Sequence, residues 1–200
     1  EDLNEDYIAS AKILHLTGIT PGLSLSCKAT VTRAIEIANA NCVKVVLDTN
    51  YRAKVWPAEE AKPYLESLML KADYVLAGQE DLAKLTGTTS EKELLAYLHS
   101  LGMADVILKL GREGAILSTE DNVERIAGYL VDKPVDRFGV GDSFAAGFLV
   151  GLLEEKPLRE AISLGNAVAG WSIRLPGNIE ALPDWNDLQQ LRTATNFVVR

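Results

Sequence analysis

Residues 135–155 read VDRFGVGDSFAAGFLVGLLEE, and glycines divide the stretch in two. Up to Gly141 it has the punctuation of a loop, and from Ser143 it is an apolar run of helical length. Backbone amides at the start of a helix point outward and carry partial positive charge, so they can hold a phosphate or its transition state. Gly139 and Gly141 let that backbone come close to an anion. Asp142 stands in the same place, where a carboxylate repels phosphate. Two readings account for it: a helix cap, a position that Asp favours, or a general base taking the proton of a hydroxyl that attacks the held phosphoryl group.

Outward from this stretch, short β-rich runs alternate with helical ones, the pattern of a parallel sheet covered by helices. The strands are expected at 12–18, 43–50, 73–78, 105–111, 114–119 and 124–131. Amphipathic helices are expected at 26–41, with Val31, Ile35 and Ala38 on one face, and at 57–72, with Pro57 at its start. Two shorter helices at 79–87 and 90–102 precede the strand at 105, and GREGA (111–115) reads as a tight turn of the hairpin kind. Beyond Asp142 the chain reads as mostly helical, ending in DWNDLQQLR. Near the start, EDYIASAKILHL (5–16) reads as an approach to the first strand with no element of its own.

A chain of 200 residues with 48% hydrophobic and 24% charged content has enough apolar material for one sizeable core. The net charge of −8 argues against nucleic acid or an anionic membrane as partner, since both reward clustered cations. A small anionic ligand fits if the cations are local. Cys27 and Cys42 form no CxxC pattern and no metal-ligand cluster with His15 and His99, so they read as buried thiols in a reducing cytosol. No apolar run reaches the roughly twenty residues that span a bilayer. These features give the expectation of a cytoplasmic protein.

The common nucleotide loops, GxxxxGK[ST] and a strand followed by GxGxxG, are absent. The stretch around Asp142 instead resembles the GAGD motif of the ribokinase-like, or PfkB, carbohydrate kinases, with Val140 where alanine is common and Arg137-Phe138 where two threonines are common. VLDTNYRAKVWP (46–57) resembles the family's D-x-N-x-R stretch, and its W-P is most similar to the 2-keto-3-deoxygluconate kinases. VILKLGREGAIL (106–117) is similar to the strand-loop-strand that borders the nucleotide. SLGNAVAGWSIRLPGNIEALP (163–183) is similar to the last helix and loop beside adenine. The four segments stand in the family's order and cover almost the whole chain.

The resemblance implies a ribokinase-like three-layer α/β/α fold with a mostly parallel sheet. Residues 1–200 would form a single α/β domain, the C-terminal and nucleotide-binding portion of a longer kinase truncated at its N-terminus. It implies an ATP-dependent transfer of the γ-phosphate to a hydroxyl of 2-keto-3-deoxygluconate, with ATP and Mg²⁺ as cofactors and K⁺ in some members. Asp142 would be the base, with the amides of Gly139, Val140 and Gly141 as anion hole. Lys109, Gly111, Gly114 and Asn166 would serve the nucleotide. Asn50 and Arg52 would face the phosphates or the acceptor, and Arg52 has a chemical reason to grip a carboxylate, because a guanidinium does so bidentately. A surface ion pair is the other reading of Arg52. Asp136 would help hold a monovalent cation.

The family's magnesium-linked N-x-x-E falls on Gly78-Gln79-Glu80-Asp81, so asparagine is replaced by glycine and the acid becomes Asp81, or Glu80 one place earlier. Partners would be the sugar acid and ATP, with room for a homo-oligomer. Two rival readings stay open: a fructokinase or ribokinase type acting on a neutral sugar, and a fragment that binds nucleotide without activity. Trp56, Trp171 and Trp185 read as core or rim packing, and His15 as a hydrogen-bonded core histidine.

Overall fold

The computed structural model describes residues 3–131 and 133–193. The chain divides into two compact units, Glu1–Lys109 with Ser118–Val123, and Leu110–Leu117 with Glu124–Arg200.

In the first unit, four strands lie side by side in chain order: β1 (Ile13–Thr17), β2 (Lys44–Asp48), β3 (Tyr74–Gly78) and β4 (Val106–Lys109). All three pairings are parallel, with Thr17 beside Asp48 and Gly78 beside Lys109, so the carboxyl ends of the strands line up. β2, β3 and β4 carry near-continuous buried runs, Val45-Val46-Leu47, Val75-Leu76-Ala77 and Val106-Ile107-Leu108. Strands covered on both faces need that pattern rather than alternation.

The helices between them begin at recognisable caps. Ser24 accepts the amide of Cys27 at the head of α3 (Leu25–Ala40), whose buried face holds Val31, Ala34, Ile35 and Ala38. Pro57 is the N-cap of α4 (Ala58–Met69), with Glu59 and Glu60 in its first turn. α5 (Gln79–Thr86) ends at Gly87 in the left-handed conformation, and α6 (Glu91–Ser100) starts at Ser90, which accepts the amide of Glu93.

Three features differ from the sequence expectation. The chain opens with a helix, α1 (Glu5–Ala9), capped by the Asn4 side chain on the amide of Tyr7 and carrying Glu5 and Asp6 in its first turn. A second short helix, α2 (Thr20–Leu23), follows β1. Single-turn helices of this kind carry too few residues for a hydrophobic period, and only capping chemistry announces them. Finally, the cysteines are not buried: Cys42 is exposed in the left-handed turn that ends α3, and Cys27 is half-buried in that helix's first turn. Trp56 is core, Trp171 is half-buried against the Arg174 guanidinium, and Trp185 is about half exposed.

In the second unit, β5 (Gly114–Ser118) and β6 (Val123–Ala127) are neighbours. The GREGA turn is a short 3-10 segment, Gly111–Glu113, closed by the Leu110 amide on the Gly114 carbonyl at 2.8 Å. Three helices follow, α7 (Val140–Leu153), α8 (Leu158–Ser172) and α9 (Trp185–Thr193). α7 and α8 pack with their backbones nearly touching: a Cβ on Gly151 would stand 2.6 Å from Ala161 Cα, and one on Gly165 would stand 2.8 Å from the Phe144 carbonyl oxygen. Among the described residues, no helix is long and apolar enough to cross a membrane.

Candidate active site

The carboxyl ends of β2, β3 and β4 carry the polar groups of the first unit, where ligands of open parallel sheets bind. Asp48, the last residue of β2, is buried, and its Oδ2 accepts the Lys109 ammonium from the end of β4 at 2.5 Å. The pair reaches across β3, with 3% of the Asp48 side chain and 15% of the Lys109 side chain exposed. Asp48 Oδ1 accepts the amide of Asn50 at 3.1 Å, and Thr49 Oγ1 accepts the amide of Gly78. The segment after β2 is thereby tied to its own strand and to the end of β3. Tyr51 adds a third tie, its buried hydroxyl donating to the Trp56 carbonyl.

Asn50 lies within this clamped segment at φ +30, a backbone region that non-glycine residues rarely enter. Its Oδ1 is buried without a hydrogen-bond partner. Backbone strain and an unpartnered acceptor thus fall together on one residue. Two residues on, Arg52 is half exposed and its Nη1 stands 3.8 Å from Asp81 Oδ1 in the first turn of α5. Lys84 Nζ approaches the same oxygen at 3.9 Å. Burial raises the Asp81 carboxyl above the ordinary carboxylate range; Arg52, Lys84 and Lys109 oppose the rise and Asp48 adds to it.

The second unit holds the glycine-flanked stretch around Asp142. Asp136 Oδ1 accepts the amide of Phe138 at 2.9 Å, and its Oδ2 meets the amide of Gly177 at 3.5 Å, so Asp136 shapes the loop before α7. Gly139 is the N-cap residue, in the left-handed conformation at φ +69. The first bond of α7 runs from the Ser143 amide to the Gly139 carbonyl at 2.7 Å. The amides of Val140, Gly141 and Asp142 therefore precede the helical ladder. Asp142 is exposed and occupies the third helical position, not the cap. The amide of Gly139, the cap residue, likewise has no acceptor within the helix, so Asp142's own amide joins the three expected from the sequence.

The other expected nucleotide residues have visible structural partners. Asn166 is buried in α8, and its Nδ2 donates to the carbonyls of Ile126 and Ala127 at 3.0 and 3.2 Å, tying the helix to β6. Gly114, at φ +97, leaves no room for a side chain, since a Cβ would lie 2.2 Å from the Ile126 carbonyl oxygen. Gly111 adopts φ +59 beside open space.

The family profile described as pfkB family carbohydrate kinase matches residues 1–185. The chain belongs to the pfkB family of carbohydrate kinases. This pfkB-family chain is 30% identical over 194 residues to 2-dehydro-3-deoxygluconokinase of Bacillus subtilis, the match covering 96% of this chain and 60% of that protein. It is likewise 30% identical over 205 residues to "probable fructokinase-7" of Arabidopsis thaliana, covering 97% of this chain and 59% of the relative. In fold it is similar to aminoimidazole riboside kinase of Salmonella enterica, with a TM-score of 0.85, 24% identity, and coverage of 92% of this chain and 63% of the other. The α/β ribokinase-like fold is thereby shown. The chain spans about 60% of the length of the curated relatives it matches.

Kinases of this kind use Mg²⁺ with ATP, an ion that usually keeps several waters and binds one or two carboxylates plus the phosphates. Among the described residues, no three acidic, His or Cys side chains are grouped to hold a metal. Asp48 is occupied by Lys109, and Asp81 lies between two cations. Among the described residues, the acids at the strand ends thus form no ready-made metal cage.

Asp48 and Lys84 were not singled out by the sequence. The signal for Asp48 was present: VVLD and VILK are apolar strands ending in opposite charges, which parallel pairing brings to one edge.

Proposed function

We propose that the protein is an ATP-dependent kinase of 2-keto-3-deoxygluconate, with Asp142 as general base. The observation that carries this reading is the position of Asp142 in the first turn of α7, exposed and beyond the cap, among amides that have no helical acceptor. Gly139 makes no side-chain capping bond, and a first-turn carboxylate favours the helix through its charge alone. It gains a purpose if the acceptor hydroxyl gives its proton to Asp142 as the oxygen attacks the γ-phosphorus and the bond to ADP breaks. The amides of Gly139, Val140 and Gly141, joined by that of Asp142, would hold the phosphoryl oxygens as negative charge shifts onto them. Positioning and charge stabilisation account for most of the acceleration in such a transfer.

For the acceptor, Arg52 would take the carboxylate of the sugar acid and the orphaned Asn50 Oδ1 a sugar hydroxyl. The similarity to a 2-dehydro-3-deoxygluconokinase supports the same acceptor. A neutral sugar is the second reading, supported by the equal identity to the probable fructokinase.

The test is an ADP-release assay on the complete protein with Mg-ATP and 2-keto-3-deoxygluconate, fructose or ribose. Selective turnover of the keto acid, with Asp142→Asn slower by about 10²–10⁴-fold, is expected. A preference for fructose or ribose would discard the acceptor, and near-normal turnover by Asp142→Asn would discard the base.

A further inference from the structure

The sequence places glycine at position 78, where the family carries asparagine, and an aspartate at position 81. The structure connects the two. A Cβ on Gly78 would lie 3.1 Å from Asp81 Oδ2, so the absence of a side chain leaves room for the Asp81 carboxylate to turn back against the end of β3. In that orientation its other oxygen, Oδ1, is shared by Arg52 at 3.8 Å and Lys84 at 3.9 Å. The carboxylate is mostly buried, at 14% exposure, whereas the two cations are 53% and 50% exposed. Both approaches exceed hydrogen-bond reach, so the guanidinium and ammonium keep their donors free for another acceptor while the carboxylate field limits where they point. Two cations and one carboxylate leave one positive charge, and the neighbouring Asp48–Lys109 pair is neutral. A single negative charge balances the group.

We propose that Asp81 is a positioning residue that holds Arg52 and Lys84 as a two-cation receptor for the carboxylate of a monoanionic sugar acid. This deepens the reading of the preceding section and rests on it for the acceptor. Lys84 supplies the second cation, and glycine at position 78 is the departure that makes the arrangement fit. Long cationic side chains lose rotamer freedom when a ligand fixes them, and a carboxylate that restricts them beforehand lowers that cost.

The test uses the complete protein in three versions, wild type, Asp81→Asn and Lys84→Gln, with Asp81→Glu as rescue. Asp81→Asn is expected to raise the KM for 2-keto-3-deoxygluconate about tenfold, the worth of ordering one long side chain, with most of the loss in KM rather than kcat. Asp81→Glu should recover part of it. Lys84→Gln should raise the same KM severalfold and shift fructose kinetics less. A readout that needs no substrate runs beside these: phenylglyoxal labelling of Arg52, followed by peptide mass spectrometry, should be several times faster in Asp81→Asn.

Equal labelling rates in wild type and Asp81→Asn would overturn the positioning role, whatever the substrate. An Asp81→Asn defect that falls on the Mg²⁺ half-saturation and spares the sugar-acid KM would overturn it too. Wild-type turnover of fructose without turnover of the sugar acid would overturn the proposed acceptor and the carboxylate receptor with it, while the labelling rates would still report whether Asp81 holds Arg52.

Discussion

Replacing Lys109 by Met removes one side of the buried ion pair at the strand ends. Methionine keeps the unbranched apolar stem and removes the ammonium, leaving Asp48 with only the Asn50 amide as its named donor. At 3% exposure the Asp48 carboxylate cannot recover the lost partner from bulk water. Breaking a buried pair from one side costs about 3–5 kcal/mol, and the 15% exposure of Lys109 places this site near the lower end. For a chain of this size each kcal/mol moves Tm by about 2–4 °C, so Lys109→Met should lower Tm by about 6–12 °C. The assay is thermal unfolding of the complete protein, with urea unfolding as a check. The double variant Asp48→Asn with Lys109→Met removes both charges and should recover at least half of the loss, because the penalty lies in the unpaired charge. A single variant within about 2 °C of wild type, or a double variant no more stable than the single, would refute the reasoning.

Three further outcomes follow from the same geometry. Asp81 has a raised folded-state pKa, so the folded chain holds its proton to higher pH than the unfolded chain, and the stability Asp81 contributes is lost as pH rises through the folded value. Asn does not ionise, so the Tm of Asp81→Asn relative to wild type should improve between pH 4 and pH 7; an unchanged or falling difference would contradict the burial assigned to Asp81. Asn166→Ala removes two hydrogen bonds to the β6 carbonyls and should destabilise by about 1–3 kcal/mol, read by urea unfolding, with the KM for ATP showing whether adenine also depends on it. Gly114→Ala would drive a methyl group into the Ile126 carbonyl at a positive φ, and should cost more than an ordinary surface change, beyond about 1 kcal/mol, measured in the same unfolding assay.

Much of the architecture was legible from residue order alone. All six expected strands occur within a few residues of their expected bounds. The apolar runs of β2, β3 and β4 are local and continuous, which makes them the plainest of the six. The two long helices of the first unit were equally plain, since Val31, Ile35 and Ala38 on one face identify α3 without reference to any neighbour. The first-turn position of Asp142 was nearly legible, but cap and third helical residue differ only in where the helix begins. That start is set by the left-handed Gly139 and by the Asp136 carboxylate on the Phe138 amide.

What tertiary structure decided is the pairing of charges. Asp48 and Lys109 are 61 residues apart, and only parallel strand register brings their ends together across β3. Arg52, Asp81 and Lys84 share one oxygen because a glycine at the end of β3 lets the carboxylate fold back. Local sequence determines periodicity and caps, since these depend on residues within a turn or two. Which cation meets which carboxylate depends on the order and register of strands, and those are settled only when the buried runs pack.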